Sequence, residues 1–181
     1  IDSFSIHNIS NAHMEEETQP LKWEGKTSKQ LPTARAHEVW PFLEDFCNLH
    51  KCFRLDTCYH VDGIPGQPGL IRYCASTVPS SSGGQMESVT IWAKEKLLLI
   101  DPIKRCLSYE VIDNNIGMKS YVATIRVLPI HDDEGERGCK IEWSFLCDPV
   151  QGQGFEEFSS YIESSLQFMV KKIEDALLPA T

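Results

Sequence analysis

Between Gln153 and Leu178 eight apolar residues recur at steps of three and four: Phe155, Phe158, Ile162, Leu166, Met169, Val170, Ile173 and Leu177. That spacing gathers them on one stripe of an α-helix, with Glu156, Glu157, Glu163, Lys171, Lys172 and Glu174 mostly elsewhere. Gly152 and Gly154 mark its start, and Pro179 bars a regular continuation. A helix of this length is roughly 35 Å long, about the span of a small domain. So long a stripe needs an equally long apolar surface to lie on. The upstream chain offers mostly strand-like runs, so the expected partner is a curved sheet.

Residues 1–20 show no periodicity and are expected to be a disordered leader, with Met14 reading as a native start; 21–179 is expected to be a single domain. Trp23 to Leu31 reads as a first strand ending at Pro32. Thr33 is placed to cap a helix in which Ala36, Val39, Trp40, Leu43 and Phe46 share a face, and Pro41 should kink or split it. Asn48 to Phe53 then makes a second short helix or a turn. Further strands are expected at 55–61, 69–77, 85–101, 106–113, 119–130 and 138–149. The run Pro79-Ser80-Ser81-Ser82-Gly83-Gly84 reads as a flexible hairpin tip. Short turns between strands imply antiparallel pairing. The fold class is therefore α+β: strand, helix pair, six strands, long helix.

A net charge of −9 and a pI near 5.1 argue against a nucleic-acid surface. No apolar run is long enough to span a bilayer, so a cytoplasmic monomer without a membrane partner is expected. Seven cysteines, an odd number with no C-x-x-C, fit buried thiols in a reducing compartment better than a disulfide framework. His50-x-Cys52 and Cys58-x-His60 lack a structural-zinc spacing, and no metal or cofactor is expected.

The run 85–101 holds the most informative anomaly. Val89, Ile91, Ala93, Glu95 and Leu97 fall on one face; Thr90, Trp92, Lys94 and Lys96 fall on the other. If the first row faces inward, Glu95 is a carboxylate among apolar neighbours and must find a partner or protonate. Arg72 on the neighbouring strand is the available cation. The competing reading is a solvent-facing Lys94-Glu95-Lys96 cluster with Arg72 outside. Tyr109 and Tyr121 are the next candidates, Tyr121 sharing a face with Ala123 and Ile125. Trp40, Trp92 and Trp143 read as core or pocket-lining bulk. The glycines of 63–69 precede a strand rather than a helix, which argues against phosphate binding.

Lys22-Trp23-Glu24-Gly25-Lys26, Asp45-Phe46-Cys47-Asn48-Leu49-His50-Lys51 and Trp92-Ala93-Lys94-Glu95-Lys96-Leu97 resemble the plant lachrymatory-factor synthases. Gly69-Leu70-Ile71-Arg72-Tyr73 and Trp143-Ser144-Phe145-Leu146-Cys147 extend the likeness over about 21–176. The resemblance implies a START-like helix-grip fold, with a hydrophobic cavity between a seven-stranded antiparallel sheet and the last helix. It also implies a cofactor-free rearrangement of a small alkenyl sulfenic acid to a thial S-oxide. Arg72 and Glu95 match the family's catalytic pair, and Tyr109 and Tyr121 match its cavity tyrosines; Trp143, Trp92 and Ile91 are further lining candidates. The sequence departs from the family at Thr90-Ile91, where the family has an acidic residue and a Phe, and in the loops 64–68 and 79–85. The expected partner is a small hydrophobic ligand with one polar oxygen. The alternatives are a non-catalytic carrier or receptor, and an interaction protein with a filled core.

Overall fold

The computed structural model describes residues 21–82 and 85–178, so the expected leader and Gly83-Gly84 lie outside the described residues. Along the chain run β1 (Trp23–Leu31), α1 (Ala36–Glu44), a 3-10 turn (Leu49–Lys51), β2 (Thr57–Asp62) and β3 (Ile71–Ser82). Then follow β4 (Gln85–Asp101), β5 (Cys106–Asn114), β6 (Val122–Asp132), β7 (Gly135–Cys147) and α2 (Phe155–Leu177). The strands form one antiparallel sheet in the order β1-β7-β6-β5-β4-β3-β2. Consecutive hairpins account for β2 to β7. Only β1 joins out of sequence, pairing with β7 from Trp23↔Cys147 to Leu31↔Cys139 without a register shift.

That register fixes one residue type. Gly25 stands opposite Phe145, and a Cβ there would meet the Phe145 ring at 2.4 Å. The ring in turn stacks on Tyr121 (6.1 Å, 11°) and meets Phe158 of α2 edge-on at 5.2 Å. A glycine in the first strand thus lets an aromatic cluster bind sheet to helix.

α2 buries Phe158, Ile162, Leu166, Met169, Val170 and Ile173, the middle of the expected stripe. Its ends emerge: Phe155 and Leu177 are exposed, although Phe155 still packs edge-on against Trp23. The expected helix pair is one nine-residue helix and a single 3-10 turn. Arg35, not Thr33, is the N-cap residue, and its N–H donates to the Glu38 carboxylate at 2.7 Å. Pro41 does not split α1. Losing one intrahelical bond is offset by burying Ala36, Val39, Trp40 and Leu43. The expected tip at 79–84 is largely strand, since β3 and β4 stay paired out to Ser82↔Gln85. Pro79 is tolerated because β2 reaches only to Ala75, so that among the described residues β3 has a free edge beyond it. Among the described residues no helix is long and apolar enough to cross a membrane.

Candidate functional site

Strand alternation turns Arg72, Cys74 and Ser76 of β3 to the same face as their partners Glu95, Ala93 and Ile91 on β4. This face looks towards α2, and a cavity of about 350 Å³ lies between them. Such a volume suits a small ligand. β5 supplies Tyr109, Tyr121 leads into β6, and β7 supplies Trp143; Phe158, Ile162 and Ser165 close it from α2. Leu49, Phe53 and Leu55, around the 3-10 turn, form a further wall.

Arg72 is 3% exposed and Glu95 14% at the side chain. Arg72 Nε and Nη2 each lie 2.6 Å from Glu95 Oε2, and Nη1 donates to the Phe46 carbonyl at 2.6 Å. The guanidinium also lies over the Phe46 ring, 3.7 Å from its centroid, with Tyr109 at 5.3 Å. Burial by itself lowers the Arg72 pKa, but the charge of Glu95, helped by Cys74 and Tyr109, outweighs it and holds the group above its ordinary value. Both guanidinium contacts fall on one carboxylate oxygen. No hydrogen bond reaches Glu95 Oε1 among the described residues, and Glu95 is one of the residues that line the cavity. Among the described residues Arg72 also keeps one unused N–H on each terminal nitrogen.

Two irregularities flank Glu95 and Leu97 on the β5 side. In the β4–β5 ladder the register slips once beside Glu95, leaving Ile112 unpaired, and again beyond Leu97, leaving Leu98 unpaired. Bulges of this kind redirect side chains. Between the two slips the ladder is regular, so Glu95 and Leu97 share one face with their partners Val111 and Tyr109.

Tyr109 and Tyr121 lie side by side, ring centroids 6.2 Å apart, both fully buried. Burial first, and then neighbouring negative charge including Glu95, raises both phenol pKa values. Both therefore stay protonated at neutral pH and can donate. Trp143 stands edge-on to Phe53 at 5.7 Å, and its buried Nε1 makes no hydrogen bond among the described residues. Ile91 lines the cavity near the end of β4. Trp92 borders the cavity, and its ring stacks on Tyr73 (5.8 Å, 23°) on the face opposite Arg72. Strand alternation forces this, because its neighbours Ile91 and Ala93 take the inner positions.

Sequence reasoning missed the loop 114–118, which brings Ile116 and Met118 over the cavity. Asn114 Oδ1 accepts from the N–H groups of Ile116, Gly117 and Met118, while Asn115 bonds the backbone of Trp92 and Thr90 on β4. Consecutive asparagines before a glycine were the available signal. Cys74, on the cavity wall, and the Phe46 carbonyl were also missed.

Residues 22–177 match the family model for polyketide cyclase / dehydrase and lipid transport. The chain belongs to this family. It is 29% identical to MLP-like protein 34 of Arabidopsis thaliana over 126 residues, covering 61% of this chain and 37% of that protein. It thus spans little more than a third of the length of that relative. Three bacterial structures share the fold. XoxI of Bacillus cereus superposes with a TM-score of 0.63 at 19% identity, over 84% of this chain and 94% of that one. An uncharacterized Bacillus thuringiensis protein gives 0.61 at 17%, over 86% and 99%. A Thermobifida fusca protein gives 0.62 at 20%, over 87% and 97%. The family and these structures bear out the seven-stranded antiparallel sheet with its C-terminal helix.

Proposed function

We propose that the cavity holds a small, mostly apolar molecule with one polar oxygen, and that Arg72 and Glu95 rearrange a sulfenic-acid-like substrate without a cofactor. The observation that supports this reading is the one-sided pairing of Arg72 with Glu95 Oε2 on the wall of the cavity, with no hydrogen bond to Oε1 among the described residues. The spare N–H groups of Arg72 hold the substrate oxygen. Oε1 accepts the proton of the sulfenic O–H and returns it to the far alkene carbon. The O–H bond breaks, a C–H bond forms and the double bond moves onto sulfur. The hydroxyls of Tyr109 and Tyr121 orient the substrate, and Trp143 and Ile91 shape its apolar surroundings.

A second reading is a non-catalytic carrier of small lipophiles, or a receptor. It is favoured by the 2.6 Å contacts that already engage three guanidinium nitrogens, as a purely structural pair would. One coupled experiment separates them. An alkenyl sulfenic acid generated in situ is offered to the wild type and to Glu95→Gln, while displacement of a fluorescent lipophile reports binding. Loss of turnover by about 10²–10⁴-fold in the variant, with displacement intact, supports the enzyme. Displacement without wild-type turnover supports the carrier.

A further inference from the structure

Cys58 and Cys74 face each other across the β2–β3 ladder, with their sulfurs 3.4 Å apart and both thiols free. Directly opposed residues of an antiparallel pair have Cα atoms about 4.5–5.5 Å apart, inside the range a disulfide spans. The bond can therefore close with little backbone movement. The two thiols lie in a small apolar cluster with Leu49, beside Phe53 and Leu55. Cys74 forms part of the cavity wall, its sulfur 3.9 Å from Glu95 Oε2. The Cys74 S–H donates to the Cys58 sulfur, a bond that with nearby Arg72 outweighs burial and draws the Cys58 thiol down to about 7. The same donated bond, and then burial, hold Cys74 well above its ordinary value. Of the two, Cys74 is thus the proton donor and Cys58 the sulfur that gives up its own proton more readily.

We propose that Cys58 and Cys74 are a redox pair that reduces a small apolar hydroperoxide in the cavity and closes to a reversible disulfide. The Cys74 sulfur attacks the terminal peroxide oxygen as its proton passes to Cys58. The O–O bond breaks, and the leaving alkoxide takes that proton to become the alcohol. The Cys58 thiolate then attacks the sulfenic sulfur of Cys74; the S–O bond breaks and hydroxide leaves, to be protonated by solvent. Two thiols are oxidised, one peroxide is reduced to alcohol and water, and a dithiol reductant restores the pair. An alkyl or aryl hydroperoxide is the fitting class because the walls beside Cys74 are Leu49, Phe53 and Leu55. The reaction does not require Glu95 to move a proton, so it stands or falls apart from the isomerase reading.

The test is to treat the fully reduced chain with one equivalent of cumene hydroperoxide, alkylate the remaining thiols and map the peptides by mass spectrometry. The expected result is a Cys58–Cys74 cross-linked peptide, lost with dithiothreitol, while the less buried Cys47 and Cys106 remain alkylatable. Hydrogen peroxide at equal concentration should close the bond about tenfold more slowly, since it gains nothing from apolar burial. In Cys58→Ala, which removes both the proton acceptor and the resolving thiol, no cross-link can form and dimedone should label Cys74 only slowly. Oxidation of Cys47 or Cys106 while Cys58 and Cys74 stay reduced overturns the redox pair. Equal rates with the two peroxides overturn the cavity as the entry route and the substrate class with it. Both decisive readouts use the wild-type chain, so a poorly folded variant does not blunt them.

Discussion

The two ends of the interior are built from the same sheet and helix, yet one is solid and the other hollow. Between β1, β6, β7, α1 and α2, Leu31, Val39, Ile125, Ile141, Leu166 and Ile173 are buried to 1% exposure or less. Aliphatic chains on facing elements interdigitate there. Between β3, β4, β5, the facing residues Tyr121 before β6 and Trp143 of β7, and the first turns of α2, the inward positions carry an ion pair, two tyrosines, an indole and a thiol around 350 Å³ of space. Rings and charges that meet at fixed angles do not collapse into one another as aliphatic chains do. The solid end supplies the stability that lets the hollow end stay open.

Arg72→Leu should break this division most severely. It strands Glu95 without a partner and the Phe46 carbonyl without a donor, and is expected to lower unfolding free energy by about 3–5 kcal/mol in urea titrations. The double variant Arg72→Leu/Glu95→Leu should recover most of that loss while abolishing capture of the ligand oxygen. A double variant as unstable as the single one would show that the pair is structural. Next comes Leu166→Ala in the solid end, expected to cost about 2–5 kcal/mol, against less than about 1 kcal/mol for Ile91→Ala on the cavity wall. Equal losses would erase the distinction between the two ends.

The pH dependence of stability sharpens the comparison at smaller scale. The Cys58 thiol is held at about 7 in the folded chain against an ordinary 9.0. Between those values the unfolded chain binds the extra proton, so stability should rise from pH 7 to 9, on the order of 1 kcal/mol, and fade as pH falls through 7. Above about pH 9 the sign reverses. Cys74, Tyr109 and Tyr121 are raised, and Cys52 and Cys139 are each pushed by burial to about 11, so the folded state then holds the extra protons. Urea midpoints across pH 6–10 test both limbs, and Cys58→Ser should flatten the first. Smallest of all is Lys29→Ala. It removes a 2.8 Å bridge from β1 to Glu163 of α2 that is partly open to water, and it should shift stability by less than about 0.5 kcal/mol, screened by salt.

Much of this architecture is legible in the chain alone because it rests on periodicity. The three-and-four spacing from Phe158 to Ile173 predicts the helix and its buried stripe. The alternations at 23–31, 85–101 and 106–113 predict strands within one residue of those observed. The same alternation sets Glu95 in one row with Ala93 and Leu97. Periodicity does not say whether a row faces inside or out. The β3–β4 register sets Arg72 opposite Glu95, and the choice between a surface charge cluster and a buried ion pair was decided by which face of the sheet α2 covers, leaving those side chains 3% and 14% exposed. Strand pairing brings together residues far apart in sequence, and no local pattern encodes it. For the same reason the facing of Cys58 and Cys74, the bulges beside Glu95 and Leu97, and the empty space between Tyr109 and α2 belong to the tertiary structure. A hollow is the absence of atoms, set by how elements meet rather than by what any one segment contains.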